Sequence, residues 1–186
     1  MRVFGIDPGS ERTGYGCVET DGSRHRIVTC GAVSTLMSAP FPDKLFEIHR
    51  RIVELLAECR PDSVAIESIF YATNVRSALK LGHARGVAML AAAQAGLAVV
   101  EYSPAEIKRA VVGYGRAEKP QVQQMVKLLL GLAAVPSPHD AADALAVAIC
   151  HVHCQTPRLA AADVLAARAL GAGKGTSWRR YRPART

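Results

Sequence analysis

Residues 3–18 read Val3-Phe4-Gly5-Ile6-Asp7-Pro8-Gly9-Ser10-Glu11-Arg12-Thr13-Gly14-Tyr15-Gly16-Cys17-Val18, and the fold turns on how this stretch is parsed. An apolar run, Val3 to Ile6, stops on the carboxylate of Asp7, and Pro8-Gly9 turns the chain at once. A run that is apolar on both faces reads as a central strand of a covered sheet. Asp7 then stands at the strand's carboxyl end, where open sheets place their ligand sites. A carboxylate beside buried apolar residues is unfavourable unless a cation or hydrogen-bond donors compensate it. Asp-Pro-Gly is also an ordinary strand-ending turn, so this stretch taken by itself leaves site and turn evenly balanced. Two later carboxylate positions shift the balance.

Outward from this strand, Thr13 to Thr20 and His25 to Thr35 flank Asp21-Gly22, the signal of a type I′ hairpin, and predict three successive antiparallel strands. Pro40 to Pro42 break the chain. Leu45, Ile48, Ile52, Leu55, Leu56 and Cys59 then recur at helical spacing over Asp43 to Cys59, with Arg50, Arg51, Glu54 and Glu58 as the wet side. Asp62 to Glu67 repeats the opening theme, a short apolar strand ending in a carboxylate. A strand–helix–strand crossover makes it parallel to the first strand and brings Glu67 to the same sheet edge as Asp7. A loop carrying Phe70 and Tyr71 leads to a long helix, Asn74 to Ala95, with a Gly82-x-x-x-Gly86 spacing suited to close packing inside the fold or against another subunit. Leu97 to Tyr102 is a further strand, and Ser103-Pro104 caps a short helix. Lys119-Pro120 starts another helix, through Leu130. After Pro136-Ser137-Pro138 a last helix runs from His139 to Cys154, with a break at Thr156-Pro157 and one more helical segment to Leu170.

Asp140 and Asp143 stand three apart in the first turn of that helix, so their carboxylates share a face. The positive end of the helix keeps them ionised, and acids are common in first turns for that reason. Beside Asp7 and Glu67 they make up to four acids converging on one point. Such crowding raises carboxyl pKa values unless cations intervene, and hard oxygen ligands in this number suit Mg²⁺ or Mn²⁺. Two such ions about 4 Å apart can clamp a phosphodiester during in-line hydrolysis. His139 adjoins the pair, but a histidine at a helix start is usually solvated, which leaves it a minor part. Cys150-His151-Val152-His153-Cys154 looks like a zinc cluster on paper. At about 100° per residue, however, the two histidines point to nearly opposite sides of a helix, so buried thiols on a core stripe are expected instead.

The 186 residues suit one domain with an appendage. No apolar run reaches transmembrane length, and no signal peptide is expected ahead of a strand that starts at Val3. Five cysteines without framework spacing fit reduced thiols in a cytoplasmic protein. The net charge of +7 suggests nucleic acid, but it is unevenly spread. Residues 157–186 hold seven Lys or Arg against one Asp, hence +6, whereas residues 1–156 hold sixteen against fifteen Asp or Glu, hence +1. Any DNA surface on the body is therefore a local patch.

With these residues in view, the chain resembles the RuvC Holliday-junction resolvases of bacteria. The resemblance rests on Gly5-Ile6-Asp7-Pro8-Gly9-Ser10 with Thr13-Gly14-Tyr15-Gly16, Ile66-Glu67, Asn74 with Ser77-Ala78-Leu79-Lys80-Leu81-Gly82, Ala84-Arg85-Gly86, Val111-Val112-Gly113, and Asp140-Ala141-Ala142-Asp143-Ala144-Leu145. It implies an α/β, RNase H-like fold, a mixed central sheet flanked by helices, over residues 1–156, with a basic extension at 157–186 that has no counterpart in those motifs. It carries the catalytic, metal-holding acids onto Asp7, Glu67, Asp140 and Asp143. Some family members have His in the slot that Asp140 fills here. Phe70 takes the part of the aromatic that wedges against junction bases, Arg76 lies in the DNA-contacting segment beside it, and Lys108 and Lys119 match basic residues near the scissile phosphate. Stacking and phosphate neutralisation suit those residue types, although Phe70 in a core and solvated lysines are the plainer alternatives. The resemblance further implies two Mg²⁺ per subunit, replaceable by Mn²⁺, four-way junction DNA as substrate, and a homodimer through the Asn74–Ala95 helix that nicks two strands of like polarity. It also implies work alongside the RuvA–RuvB branch-migration complex in the cytoplasm, with no membrane. Two rivals share parts of this pattern. Actin-like ATPases and sugar kinases also open on such a strand but need two such domains, and a junction-binding scaffold has no use for four acids.

Overall fold

The structure, a computed structural model, describes residues 1–68 and 74–170, with side chains through Gln155. One compact unit spans Met1–Cys154. Its core is a five-stranded sheet in the order β3-β2-β1-β4-β5, built from β1 (Arg2–Asp7), β2 (Arg12–Thr20), β3 (His25–Ser34), β4 (Ser63–Glu67) and β5 (Val99–Tyr102). The first three strands pair antiparallel, while β4 lies parallel to both β1 and β5. This is the mixed sheet of the RNase H-like expectation, with β1 at its centre.

Side chains alternate between faces along a strand, and here the alternation sorts the core in two. Phe4, Ile6, Cys17, Val64 and Ile66 pack under α1 (Phe41–Cys59) and α2 (Val75–Gln94). Val3, Val18 and Ala65 pack on the other face, under α3 (Pro104–Val112), α4 (Lys119–Leu129) and the first turns of α5 (His139–Leu170). Asp7 is two residues on from Gly5, and Glu67 two on from Ala65, so both acids project on the α5 side of the sheet.

Local chemistry sets most boundaries. Ser103 and Glu106 form a reciprocal capping box at the start of α3, and Asn74 accepts from the Arg76 amide to cap α2. α1 begins at Phe41, with Pro42 tolerated in the first turn because its missing N–H would have had no intrahelical partner. Four expectations are corrected. The β2–β3 connection is a loop over residues 21–24 in which Asp21 accepts hydrogen bonds from the Ser23 and Arg24 amides. Only Gly22 there has positive φ, whereas a type I′ turn needs two such residues. The last helix does not stop at Thr156-Pro157 but continues to Leu170, since a proline removes one donor without obliging a helix to end. Of the two thiols read as core, Cys150 is buried but Cys154 is exposed. Gly82 and Gly86 do not pack inside the fold, for a Cβ at either would meet nothing within 4 Å.

Candidate active site

Asp7 ends β1 and Glu67 ends β4. The two strands are parallel neighbours in register from Val3↔Ser63 to Ile6↔Ile66, which brings the next residues, Asp7 and Glu67, side by side. A protonated Asp7 is placed to donate a hydrogen bond to the Glu67 carboxylate. The start of α5 meets the same edge, and Asp143 from it joins them around one cavity of about 400 Å³. Lys108 from α3 and Lys119 from α4 complete its polar wall, and Ile107, Val122 and Val147 are among its apolar lining.

Electrostatics reflect the crowding. Asp7 is pushed up to about 8, first by burial, then by the negative charge of Glu67 and the hydrogen bond with it, with Asp143 and Asp140 adding further repulsion. Glu67 is also raised by burial, against the opposing pull of the Asp7 hydrogen bond and of Lys119 and Lys108. Lys119 is held in its charged form by its hydrogen bond to Asp143, whose Oδ2 lies 2.5 Å from Nζ.

The helix pair divides between two cations. Asp143 is held by Lys119, whereas Asp140 does not line the cavity and sits 3.4 Å from the guanidinium of Arg12. Asp7, Glu67 and Asp143 thus share the cavity, while Asp140 lies outside its lining but near enough to add to the repulsion on Asp7. Among the described residues no three His, Cys, Asp or Glu side chains gather into an ion-holding cluster. Each helix acid is instead paired with a basic side chain, Asp140 with Arg12 and Asp143 with Lys119. The donor set nevertheless suits a hard divalent cation. It consists of carboxylate oxygens, one of them carrying a proton only because burial and like charge oppose ionisation, and the competing lysine and arginine are 60% and 54% exposed and free to move.

The other expected residues fall out differently. His139 is exposed and its Nδ1 pairs with the Gln123 amide at 3.1 Å, turned toward α4 rather than the acids. Arg76 lies on the exposed first turn of α2, away from the cavity lining. Phe70 lies outside the described residues. Two features escaped the sequence reading. Arg12, at the start of β2, was visible only as one charge within the opening stretch. His151 is buried, bonded to the Tyr102 hydroxyl at 3.0 Å and Ser63 Oγ at 3.1 Å. Helical phase separates it from His153, but nothing in the sequence pairs it with two hydroxyls from different strands.

The family model described as "Crossover junction endodeoxyribonuclease RuvC" matches residues 3–151. A protein of that name from Syntrophotalea carbinolica is 56% identical over 154 residues, covering 83% of this chain and 95% of its own. Another, from Trichlorobacter lovleyi, is 51% identical over 183 residues, covering 98% of this chain and all of its own, so the basic extension does have a counterpart. The structure of Thermus thermophilus RuvC in complex with Holliday junction substrate is similar at 37% identity and a TM-score of 0.81, with 85% of this chain and 96% of that one covered. The family model covers nearly all of the compact unit Met1–Cys154: the chain belongs to the RuvC family of crossover junction endodeoxyribonucleases.

Proposed function

We propose that this chain resolves four-way DNA junctions by nicking two strands of like polarity, leaving 5′-phosphate and 3′-hydroxyl ends. Asp7, Glu67, Asp140 and Asp143 are its metal-holding, catalytic acids. The observation that carries this is the gathering of Asp7, Glu67, Asp143, Lys108 and Lys119 around one cavity at the carboxyl ends of β1 and β4. Mg²⁺, two per subunit and replaceable by Mn²⁺, would supply a polarised phosphate and an activated water. Asp7 and Glu67 offer carboxylates from rigid strand ends, which holds them in place far better than loops would. Asp140 and Asp143 offer theirs once Arg12 and Lys119 release them. Lys119, freed from Asp143, and Lys108 are then placed to neutralise the scissile phosphate.

Phe70 and Arg76 contact the junction, the aromatic ring stacking on bases. A homodimer supplies two sites to a two-fold-symmetric substrate. Its support lies on α2, where Val75, Leu79 and Leu90 are 77%, 59% and 51% exposed and Gly82 and Gly86 stand on the same open surface. The nuclease domain comprises residues 1–156 and the basic extension 157–186. The protein acts in the cytoplasm beside the RuvA–RuvB branch-migration machinery. No helix among the described residues is long and apolar enough to cross a membrane.

The test pairs two assays on a synthetic four-way junction: gel-shift binding in chelator, and nicking in Mg²⁺. The unaltered protein should cut symmetrically, and Asp7→Asn should bind but cut roughly 100-fold more slowly or worse. An uncut junction with the unaltered protein would make it a binding scaffold. Undiminished cutting by Asp7→Asn would remove the acids from the chemistry.

A further inference from the structure

Directly opposed residues of an antiparallel ladder project to one face, as do residues two apart on a strand. In the β1–β2 ladder Asp7 opposes Gly14 and Gly5 opposes Gly16. These four positions make one tile of the sheet beneath the first turns of α5, and all but Asp7 are glycine. None of the three needs glycine for its backbone, since the positive-φ glycines are Gly22, Gly96, Gly113 and Gly131. What they supply is room. A Cβ on Gly14 would collide with the carbonyl oxygen of Asp140 and stand 2.7 Å from its carbonyl carbon and 3.1 Å from its Cβ. One on Gly5 would collide with the Ala144 carbonyl oxygen and stand 2.8 Å from the Ala148 nitrogen. One on Gly16 would meet the Leu145 side chain at 2.7 Å. The first two obstacles are helix backbone, which cannot swing aside as a side chain can. Relief requires α5 to rise or slide.

We propose that Gly14, supported by Gly5 and Gly16 under the following turns, is a positioning residue that sets the height of α5 over the sheet and so holds Asp140 and Asp143 within reach of the same ions as Asp7 and Glu67. This rests on reading those acids as metal ligands. Gly14 is the sharpest member because it touches both sides of the site: it is the ladder partner of Asp7 and the floor under Asp140. Arg12, two residues earlier on β2, reaches the carboxylate of the same aspartate. One strand thus fixes Asp140 through both its main chain and its side chain. Mg²⁺ demands near-ideal octahedral geometry, so a helix lifted by one methyl group leaves two of four carboxylates out of place.

The test uses the full-length, metal-free protein, with Mn²⁺ binding followed by electron paramagnetic resonance, junction binding in chelator, and nicking in Mg²⁺. Gly14→Ala should bind junction normally, bind Mn²⁺ about 10- to 100-fold more weakly, and nick about 100-fold more slowly. Asp140→Glu, one methylene longer, should by itself impair nicking but in the Gly14→Ala background should recover part of both Mn²⁺ affinity and rate. A residue that only maintains the fold would not be rescued by lengthening an acid. A folded Gly14→Ala with unchanged Mn²⁺ affinity, or one that Asp140→Glu fails to improve, overturns the proposal. If Gly14→Ala does not fold, Gly16→Ala decides, because its obstacles are milder, the Leu145 side chain at 2.7 Å and the Leu145 backbone nitrogen at 3.1 Å, and so displace α5 less: weakened Mn²⁺ binding with intact junction binding supports the proposal, and unchanged Mn²⁺ binding overturns it. Asp140→Asn separates the two levels. If that variant binds Mn²⁺ and nicks normally, the metal-site reading itself fails. If it is inactive while Gly14→Ala is unaffected, only the positioning role fails.

Discussion

Asp7 carries its strain in a form that a stability measurement can read without substrate. In the folded chain its carboxyl is pushed up to about 8, by burial first and then by Glu67; unfolded, it returns to its ordinary value of 3.8. Between those limits the folded state binds more protons than the unfolded one, so this group's stability is fully present below pH 4 and declines as the pH rises to 8. Glu67, shifted in the same direction, reinforces the trend. Asn cannot titrate, so in chelator Asp7→Asn should gain on the unaltered protein as the pH rises from 5 to 8. The gain should be on the order of 1–3 kcal/mol, because Lys119 and nearby water relieve part of the repulsion. Urea unfolding of both proteins across that range is the measurement, and parallel curves would mean Asp7 is not buried among like charges. At this scale the sequence displayed the acids clearly, since a carboxylate ending an apolar run is conspicuous. It could not display their counter-ions. Lys119 and Arg12 reach Asp143 and Asp140 through long flexible side chains from other elements, which leave no spacing signal.

Helices and strands were legible where one physical period dominated. The apolar stripe of α1 and the double-faced runs of β1 and β4 predicted elements that the structure contains, and the crossover rule placed β4 parallel to β1. Loops were less legible, and Asp21-Gly22 shows why: the same dipeptide serves a tight turn or, as here, a loop closed by the Asp21 side chain. The glycines show a deeper limit. Gly5, Gly14 and Gly16 lie in strands and look like weaknesses until α5 is laid over them. Gly82 and Gly86 have helical packing spacing, yet the face of α2 buried in the fold is Ala84, Ala88, Ala91 and Ala92. That leaves the glycine face open, as the proposed dimer through α2 requires. Gly82→Leu should therefore leave the fold intact, because a side chain there meets open space, but should block close approach of a second α2. Sedimentation should show monomers at concentrations where the unaltered chain is dimeric, and symmetric paired nicking should be lost. A variant that sediments as the unaltered dimer would move the interface elsewhere.

For the whole molecule, charge is distributed in a way that separates chemistry from general DNA affinity. Residues 1–156 are nearly neutral at +1, while residues 157–186 carry +6. Nonspecific binding to a duplex grows with the number of phosphates neutralised, and each contact steepens the fall of log K with log salt by about 0.9. Removing the extension after Pro157 should therefore flatten that salt dependence by up to about 5 if all six net charges reach phosphate. It should weaken duplex binding most at low salt, where the electrostatic contribution is largest. Junction nicking at saturating protein should change little, because Asp7, Glu67, Asp140, Asp143, Lys108 and Lys119 all lie within the compact unit Met1–Cys154. The salt range matters, since at high ionic strength the two proteins should converge even on duplex. The measurement is a salt titration of duplex and junction binding for both chains, with nicking assayed at saturation. Loss of nicking from a truncated protein that still folds and still binds junction would make the extension part of the catalytic machine. Equal salt slopes would mean that its arginines do not touch DNA at all.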